Sequence, residues 1–264
     1  MKDYRTKPYY TGASALHRRA VYKGIGLTDE DLDRPLIAVV STFSEICPGH
    51  LHLQNLVKSV KNGIWQAGAT PLEFSTISQC ATQTLGLPAP SNAPGMVLSQ
   101  LFDGLVIVTT CDKTIPGALL GAARLNLPTV IVPGGIMEPG KIRGQEVSLA
   151  DLDEKVFSGK TAAWSENEQK YWEDQVIPGS GACPIMGTAN TMQILAEVSG
   201  VAMPFSSTKV AGMAAQLRLA KRAGYQTYSL FDSGDKGSYG EHGYNGNGHG
   251  RRIQLHCTYD GPQL

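Results

Sequence analysis

The chain has 264 residues, 42% hydrophobic and 17% charged, with 23 basic residues against 23 acidic ones and a net charge of zero. That length can bury a full core as one large or two small domains, and the balanced charge excludes a protein drawn to nucleic acid or anionic lipid by its overall field. No apolar run approaches the roughly 18 residues of a membrane span, and residues 1–7 lack the apolar core of a secretory leader, so a cytoplasmic protein with no membrane or nucleic-acid partner is expected.

Residues 36–41, Leu-Ile-Ala-Val-Val-Ser, form a continuous apolar run after Arg34 and Pro35, the pattern of a strand covered on both faces. Leu53, Leu56, Val57, Val60 and Ile64 then recur at helical spacing, with Gly68 as the stop. Leu72, Phe74 and Thr76 alternate as a second strand, residues 104–110 read as a third and 129–132 as a fourth, with a helix over 118–125 between the last two. Strand and helix in alternation predict a mostly parallel sheet flanked by helices, because parallel strands need crossover connections. The proline-rich stretch 87–94 interrupts that order. Helices are predicted at 149–157, 162–174 and around Ala189, Met192, Leu195 and Val198. A last one, capped by Ser206 or Ser207, carries Val210, Met213, Leu217 and Ala220 and closes at Gly224. Seven glycines between Gly234 and Gly250 predict a loosely packed tail. The organisation expected is an arm over 1–34, an α/β domain over 35–224 and a Gly-rich tail over 225–264.

The chemistry-bearing residues gather at predicted strand ends. Cys111, Asp112 and Lys113 follow the third strand directly, placing a soft metal ligand, a hard one and an amine where open α/β sheets keep their sites. Cys183 sits in a Gly-rich turn ahead of a helix, where amides and the helix dipole favour a thiolate. Glu45, Cys47, His50 and His52 crowd the loop after the first strand. Their Cys-x-x-His-x-His spacing lacks the second half of a zinc motif, so zinc is disfavoured there and His50 is read as capping the next helix. Residues 133–140, rich in glycine, form a further edge loop able to turn amides toward an anion. His242, His249 and His256 are read as solvated, and the five cysteines, at 47, 80, 111, 183 and 257, show no CxxC pair.

Taken in order, Thr11-Gly12, Arg18-Arg19-Ala20, the segments 26–31, 48–53 and 73–77, the Cys-Asp-Lys-Thr-Ile-Pro-Gly of 111–117, then 123–128, Gly134-Gly135 and the Gly-Ala-Cys-Pro-Ile-Met-Gly-Thr-Ala-Asn-Thr-Met of 181–192 resemble the amino-terminal domain of the dihydroxy-acid dehydratase and 6-phosphogluconate dehydratase family. The resemblance implies a hydro-lyase that removes water from a 2,3-dihydroxy or sugar carboxylate to give a 2-keto acid. It implies an iron–sulfur cluster, two-iron ahead of four-iron, on Cys111 and Cys183, and Mg2+ on Asp112 and a carbamylated Lys113. Many members carry cysteine where this chain has Gly49, and Cys47 is read as compensating. A further magnesium carboxylate of the family falls near Cys80, Ala81 and Thr82, where no acid stands. The family's carboxy-terminal barrel domain, source of its serine base, has no counterpart in residues 225–264, so no catalytic residue is assigned. A homodimer or partner subunit is expected, with an inactive interaction or regulatory subunit as the alternative function.

Overall fold

A computed structural model describes residues 4–78, 102–125 and 127–232. The proline-rich stretch, Cys80 to Thr82, the glycines from 234 to 250, Cys257 and the histidines at 242, 249 and 256 lie outside the described residues. An amino-terminal arm carries α1 (Lys7–Tyr10), α2 (Leu16–Gly24) and α3 (Asp29–Leu32). The α/β body follows as β1 (Leu36–Ser41), α4 (Leu53–Ala67), β2 (Thr70–Ser75), β3 (Gly104–Thr109), α5 (Thr114–Leu125) and β4 (Thr129–Pro133). A two-stranded antiparallel hairpin, β5 (Gly140–Ile142) with β6 (Gln145–Val147), leads to α6 (Leu149–Phe157), α7 (Glu166–Gln175), α8 (Thr188–Val198) and α9 (Ala214–Asp232).

The main sheet has the order β2-β1-β3-β4, and every pairing in it is parallel. All six residues of β1 and of β3 are buried, because helices cover both faces. Successive side chains point to opposite faces. Ile37, Val39, Val106, Val108, Val130 and Val132 therefore pack on α4 and α9, whereas Leu36, Ala38, Val40, Leu105, Ile107 and Ile131 pack on α5 and the arm's Tyr10. Each valine, leucine or isoleucine among them contributes about 1.5–3 kcal/mol when fully buried. Tyr10 bears on that second face, and burial, the largest cause, pushes its hydroxyl well above the usual tyrosine range, helped by the neighbouring Tyr22 hydroxyl.

The last helix differs from its expected form. It begins at Ala214, not near Ser206, and runs through Gly224 to Asp232, so the boundary at 224 falls inside a helix. Gly224 is a packing residue: a Cβ there would overlap the Val60 carbonyl, and a Cβ on Gly63 would overlap that of Lys221. The two glycines let α4 and α9 cross backbone to backbone, which local sequence reading takes for a stop signal. Val210 instead pairs with Ile136 in an extended bridge. The hydroxyl and amide of Ser207 clasp Glu197 at 2.6 and 2.9 Å, and the Phe205 amide joins them at 2.7 Å. Burial pushes the Glu197 carboxyl up, but these donors outweigh it and leave the group below the usual glutamate range. The helix expected over 162–174 resolves into a 3-10 turn at Lys160–Ala163 and α7, whose Ser165 cap accepts from the Glu168 amide at 3.2 Å.

Candidate metal centre at the carboxyl edge of the sheet

Three loops leave the carboxyl ends of β1, β3 and β4 and meet the turn that holds Cys183. The β1 loop folds over itself through the His50 amide, which donates to the Cys47 carbonyl at 3.0 Å. Cys47 and His50 are thereby held on one short turn, both buried. From β3 comes Cys111, whose backbone has φ +71°. A cysteine in the left-handed region costs about 1–2 kcal/mol, and such strain concentrates at working sites. One ligating atom from each of Cys47, His50 and Cys111 lies within 4.8 Å of the other two. Among the described residues no other group of three such side chains forms. Cys47, Cys111 and Cys183 are thiols, not disulfides.

Gly49 explains how the sulfurs come together. A Cβ at 49 would stand 2.5 Å from Cys111 Sγ and 3.4 Å from Cys47 Sγ, so the space a side chain would take is filled by thiol. It would also lie 3.4 Å from the Gly181 carbonyl, and the Gly181 amide donates to the Pro48 carbonyl at 3.3 Å. The turn leading to Cys183 is thus docked on the Cys47 loop, although Cys183 itself stays outside the three-residue group. Gly181, at φ +126°, has no room for a Cβ against the Met137 amide.

The histidines do not cap α4. His52 is the N-cap residue and makes no side-chain cap bond. Its Nε2–H donates to the Gly134 carbonyl at 2.6 Å, since a carbonyl only accepts, and Nδ1 is buried without a partner. Burial, the largest cause, holds the His52 ring below the usual histidine range, the Gly134 bond opposes that, and neighbouring His50 adds to it. His50 Nδ1 meets Thr42 Oγ1 at 2.9 Å, and that hydroxyl reaches Thr109 Oγ1 at 3.2 Å.

The glycine loop after β4 is not an anion cradle, because its amides are spent inside the protein. Those of Gly134, Ile136 and Met137 donate to the carbonyls of Thr109, Lys209 and Ala182, each at 2.8 Å. The Gly135 amide donates to Gln193 Oε1 at 2.9 Å, Gln193 Nε2 to Asn190 Oδ1 at 2.8 Å, and Asn190 Nδ2 to the Cys183 carbonyl at 2.9 Å. This buried chain of amides fixes the Cys183 turn to the sheet edge. Cys183 lies five positions before Thr188, the first residue of α8, beyond the single turn over which a helix dipole acts appreciably.

Asp112 and Lys113 form the partly exposed turn between β3 and α5, beside Cys111. The following helix is tied back by Thr114 Oγ1, which donates to the Thr110 carbonyl. Asp112 belongs to no cluster of three ligating side chains among the described residues. Alongside, the loops at 136–139, 184–186 and 207–210 enclose a cleft of about 780 Å³ with the β5–β6 hairpin. No helix among the described residues is long and apolar enough to cross a membrane.

Fold and edge together define a parallel α/β domain with a thiol-rich, metal-competent centre at its strand ends. Residues 34–239 match the family model described as dihydroxy-acid/6-phosphogluconate dehydratase N-terminal, and the chain belongs to that family. It is 40% identical over 232 residues to a dihydroxy-acid dehydratase of Pyrococcus abyssi, covering 84% of this chain and 42% of that protein. A dihydroxy-acid dehydratase of Caldicellulosiruptor bescii is 41% identical over 233 residues, with 84% and 42% covered, and one of Methanococcus vannielii is 40% identical over 223, with 80% and 40% covered. The chain therefore spans about two-fifths of the length of these relatives.

Proposed function

We propose that this chain is the metal-binding part of a hydro-lyase that removes water from a 2,3-dihydroxy or sugar carboxylate and yields a 2-keto acid. The observation that carries the reading is the meeting of Cys47 and Cys111 beside Asp112 and Lys113 at one strand end, in a chain of a dehydratase family. Cys47, Cys111 and Cys183 would hold an iron–sulfur cluster, two-iron ahead of four-iron. The closeness of the first two sulfurs and the docking of the Gly181 turn beside them suit that group. Asp112 and a carbamylated Lys113 would hold Mg2+, an ion that ordinarily takes one or two carboxylates and keeps water or substrate oxygens for the rest. Held by these residues, the two groups would supply Lewis acidity toward the substrate's hydroxyl and carboxylate oxygens.

The chain's own part is positional. The Cys111–Lys113 turn presents the thiol and the carboxylate from adjacent residues, so a hydroxy acid lying across the strand end meets both at once. The buried Thr42–His50 and Gln193–Asn190 contacts keep the flanking loops in register. No residue is assigned as the base for the C2 proton; a partner subunit or a further domain would supply it. A homodimer or partner would also cover exposed apolar side chains such as Met186 and Phe205.

Anaerobic reconstitution with iron, sulfide and magnesium, followed by a keto-acid assay on a panel of dihydroxy acids, tests this. Bound iron and acid-labile sulfide, lost in Cys111→Ser and Cys183→Ser, and keto acid formed by the wild-type chain are the expected results. A colourless, iron-free protein overturns the reading. A cluster without turnover favours an inactive relative serving as an interaction or regulatory subunit.

A further inference from the structure

We infer that the chain pairs with a second copy of itself across a two-fold axis, each copy seating its Phe205 side chain in the other's cleft beside the β5–β6 hairpin. The inference deepens the partner part of the proposed function by choosing the homodimer, and it needs neither a bound metal nor turnover.

Phe205 is held out from the surface by its own turn. Its side chain is 71% exposed, and its φ of +63° is rare for so bulky a residue. The Glu197 carboxylate of α8 fixes that turn from both sides, accepting from the Phe205 amide on one oxygen and from the Ser207 amide and hydroxyl on the other. The same turn then enters the wall of the cleft of about 780 Å³, which Ser207 and Thr208 line together with Met137, Val147, Pro184 and Val210. The buried polar side chains of this cleft are already engaged. Ser148 donates to Asp151, Asn190 to the carbonyls of Cys183 and Ile185, and Ser207 to Glu197. The charged groups at its rim, Glu138, Lys141, Glu146 and Asp151, are exposed. Small polar ligands are oriented by a few convergent polar groups; the buried walls here keep none in reserve and suit an apolar side chain.

The surface around ring and cleft suits self-contact. On α8, Ile194 lines the cleft, while Leu195 and Val198 are 47% and 71% exposed. The one charge on that helix, Glu197, is spent on the Phe205 turn, so two copies of the helix meet without opposing like charges. With Ile185 and Met186, these side chains and Phe205 expose several hundred Å² of apolar surface, the size of patch that marks an interaction site on a soluble chain. A stable pair buries about 800 Å² per copy, which the patch and the cleft walls supply together. A projecting ring and a socket carried side by side on one chain close reciprocally under two-fold symmetry, so the contact ends at two copies.

Sedimentation velocity of the reduced, metal-free full chain over a wide range of concentration tests this. A monomer–dimer equilibrium with no larger species is expected. Phe205→Asn removes the ring while asparagine accepts the left-handed backbone, and Thr208→Trp fills the socket from an exposed position. Each should raise the dissociation constant about hundredfold or more, as loss of a central anchor does. An equimolar mixture of the two variants should pair more tightly than either alone, because one ring and one open socket remain. Tyr225→Ala, exposed on α9 at the other face of the sheet, should change nothing. Circular dichroism checks the fold of each variant, and Val198→Lys, which sets a charge on the outer side of α8, carries the test if Phe205→Asn does not fold. A monomer at every concentration would overturn the inference. So would a dimer untouched by these substitutions, open assemblies that grow with concentration, or no gain on mixing. A metal-free dimer that then fails to take up iron and sulfide leaves this inference standing and sinks the hydro-lyase reading; an iron-loaded chain that stays monomeric does the reverse.

Discussion

The two ends of the parallel sheet solve opposite problems. At the amino end, Asp103 is a 2% exposed carboxylate directly before β3, and every bond it makes ties elements together. It accepts from the Thr6 amide at 2.9 Å, the Thr6 hydroxyl at 2.6 Å and the Leu36 amide at 2.9 Å, fastening the arm to the first strand. At the carboxyl end, Thr110 Oγ1 and His52 Nδ1 are buried without partners, and Cys111 holds a strained backbone. One edge spends its polar groups on cohesion. The other keeps donor atoms available for chemistry and accepts strain to do so.

Breaking the amino end should cost the most. Asp103→Ala leaves two buried backbone amides without acceptors, each worth about 1–3 kcal/mol, so stability should fall by roughly 4 kcal/mol in urea unfolding. Metal bound per folded molecule should not change. At the carboxyl end the signs separate. Gly49→Ala drives a methyl group to within 2.5 Å of Cys111 Sγ, and metal affinity should fall at least about tenfold, read by competition with a chromophoric chelator. Cys111→Gly should abolish that binding yet stabilise the apo protein by about 1 kcal/mol, because glycine tolerates the φ of +71°. An apo protein destabilised by that change would remove strain from the account.

The smallest effect concerns pH, and here the regions respond in opposite directions. Burial raises the Asp103 carboxyl above its ordinary value, while the Thr6 and Leu36 bonds lower it without cancelling the rise. Its contribution is fully present below the unfolded carboxylate range and declines as pH rises through the folded value. Glu197, beside the carboxyl-edge loops, has a lowered carboxyl, so its clasp is present above the usual glutamate range and lost as pH falls through the folded value. Protection of the Phe205 and Ser207 amides from exchange, relative to the intrinsic rate at each pH, should therefore fall on acidification, whereas that of Thr6 and Leu36 should not fall over the same descent. Glu197→Gln should remove the pH dependence at Phe205 and Ser207.

The four strands were legible because each is an apolar run closed on both faces, and their ends fall within about two residues of the positions read from sequence. Two kinds of feature were not. Gly224 reads as a terminator, and only the crossing of α4 and α9 reveals why glycine stands there. The short β5–β6 hairpin carries little apolar signal and passed as polar chain. At the site, Cys111 was visible from its place after β3, but His50 was set aside because its third partner comes from a different strand, more than sixty residues away. Cys-x-x-His next to a strand end was the available clue. The amides of residues 134–137 looked free for an anion, and their actual acceptors, among them Gln193 and Lys209, come from distant segments.

X-ray absorption at the iron edge of the anaerobically loaded chain measures the carboxyl-edge centre most directly. The account predicts sulfur scatterers at about 2.3 Å, the metal–thiolate distance, diminished in Cys111→Ser. Iron surrounded only by oxygen and nitrogen, or a spectrum unchanged by that substitution, would contradict it.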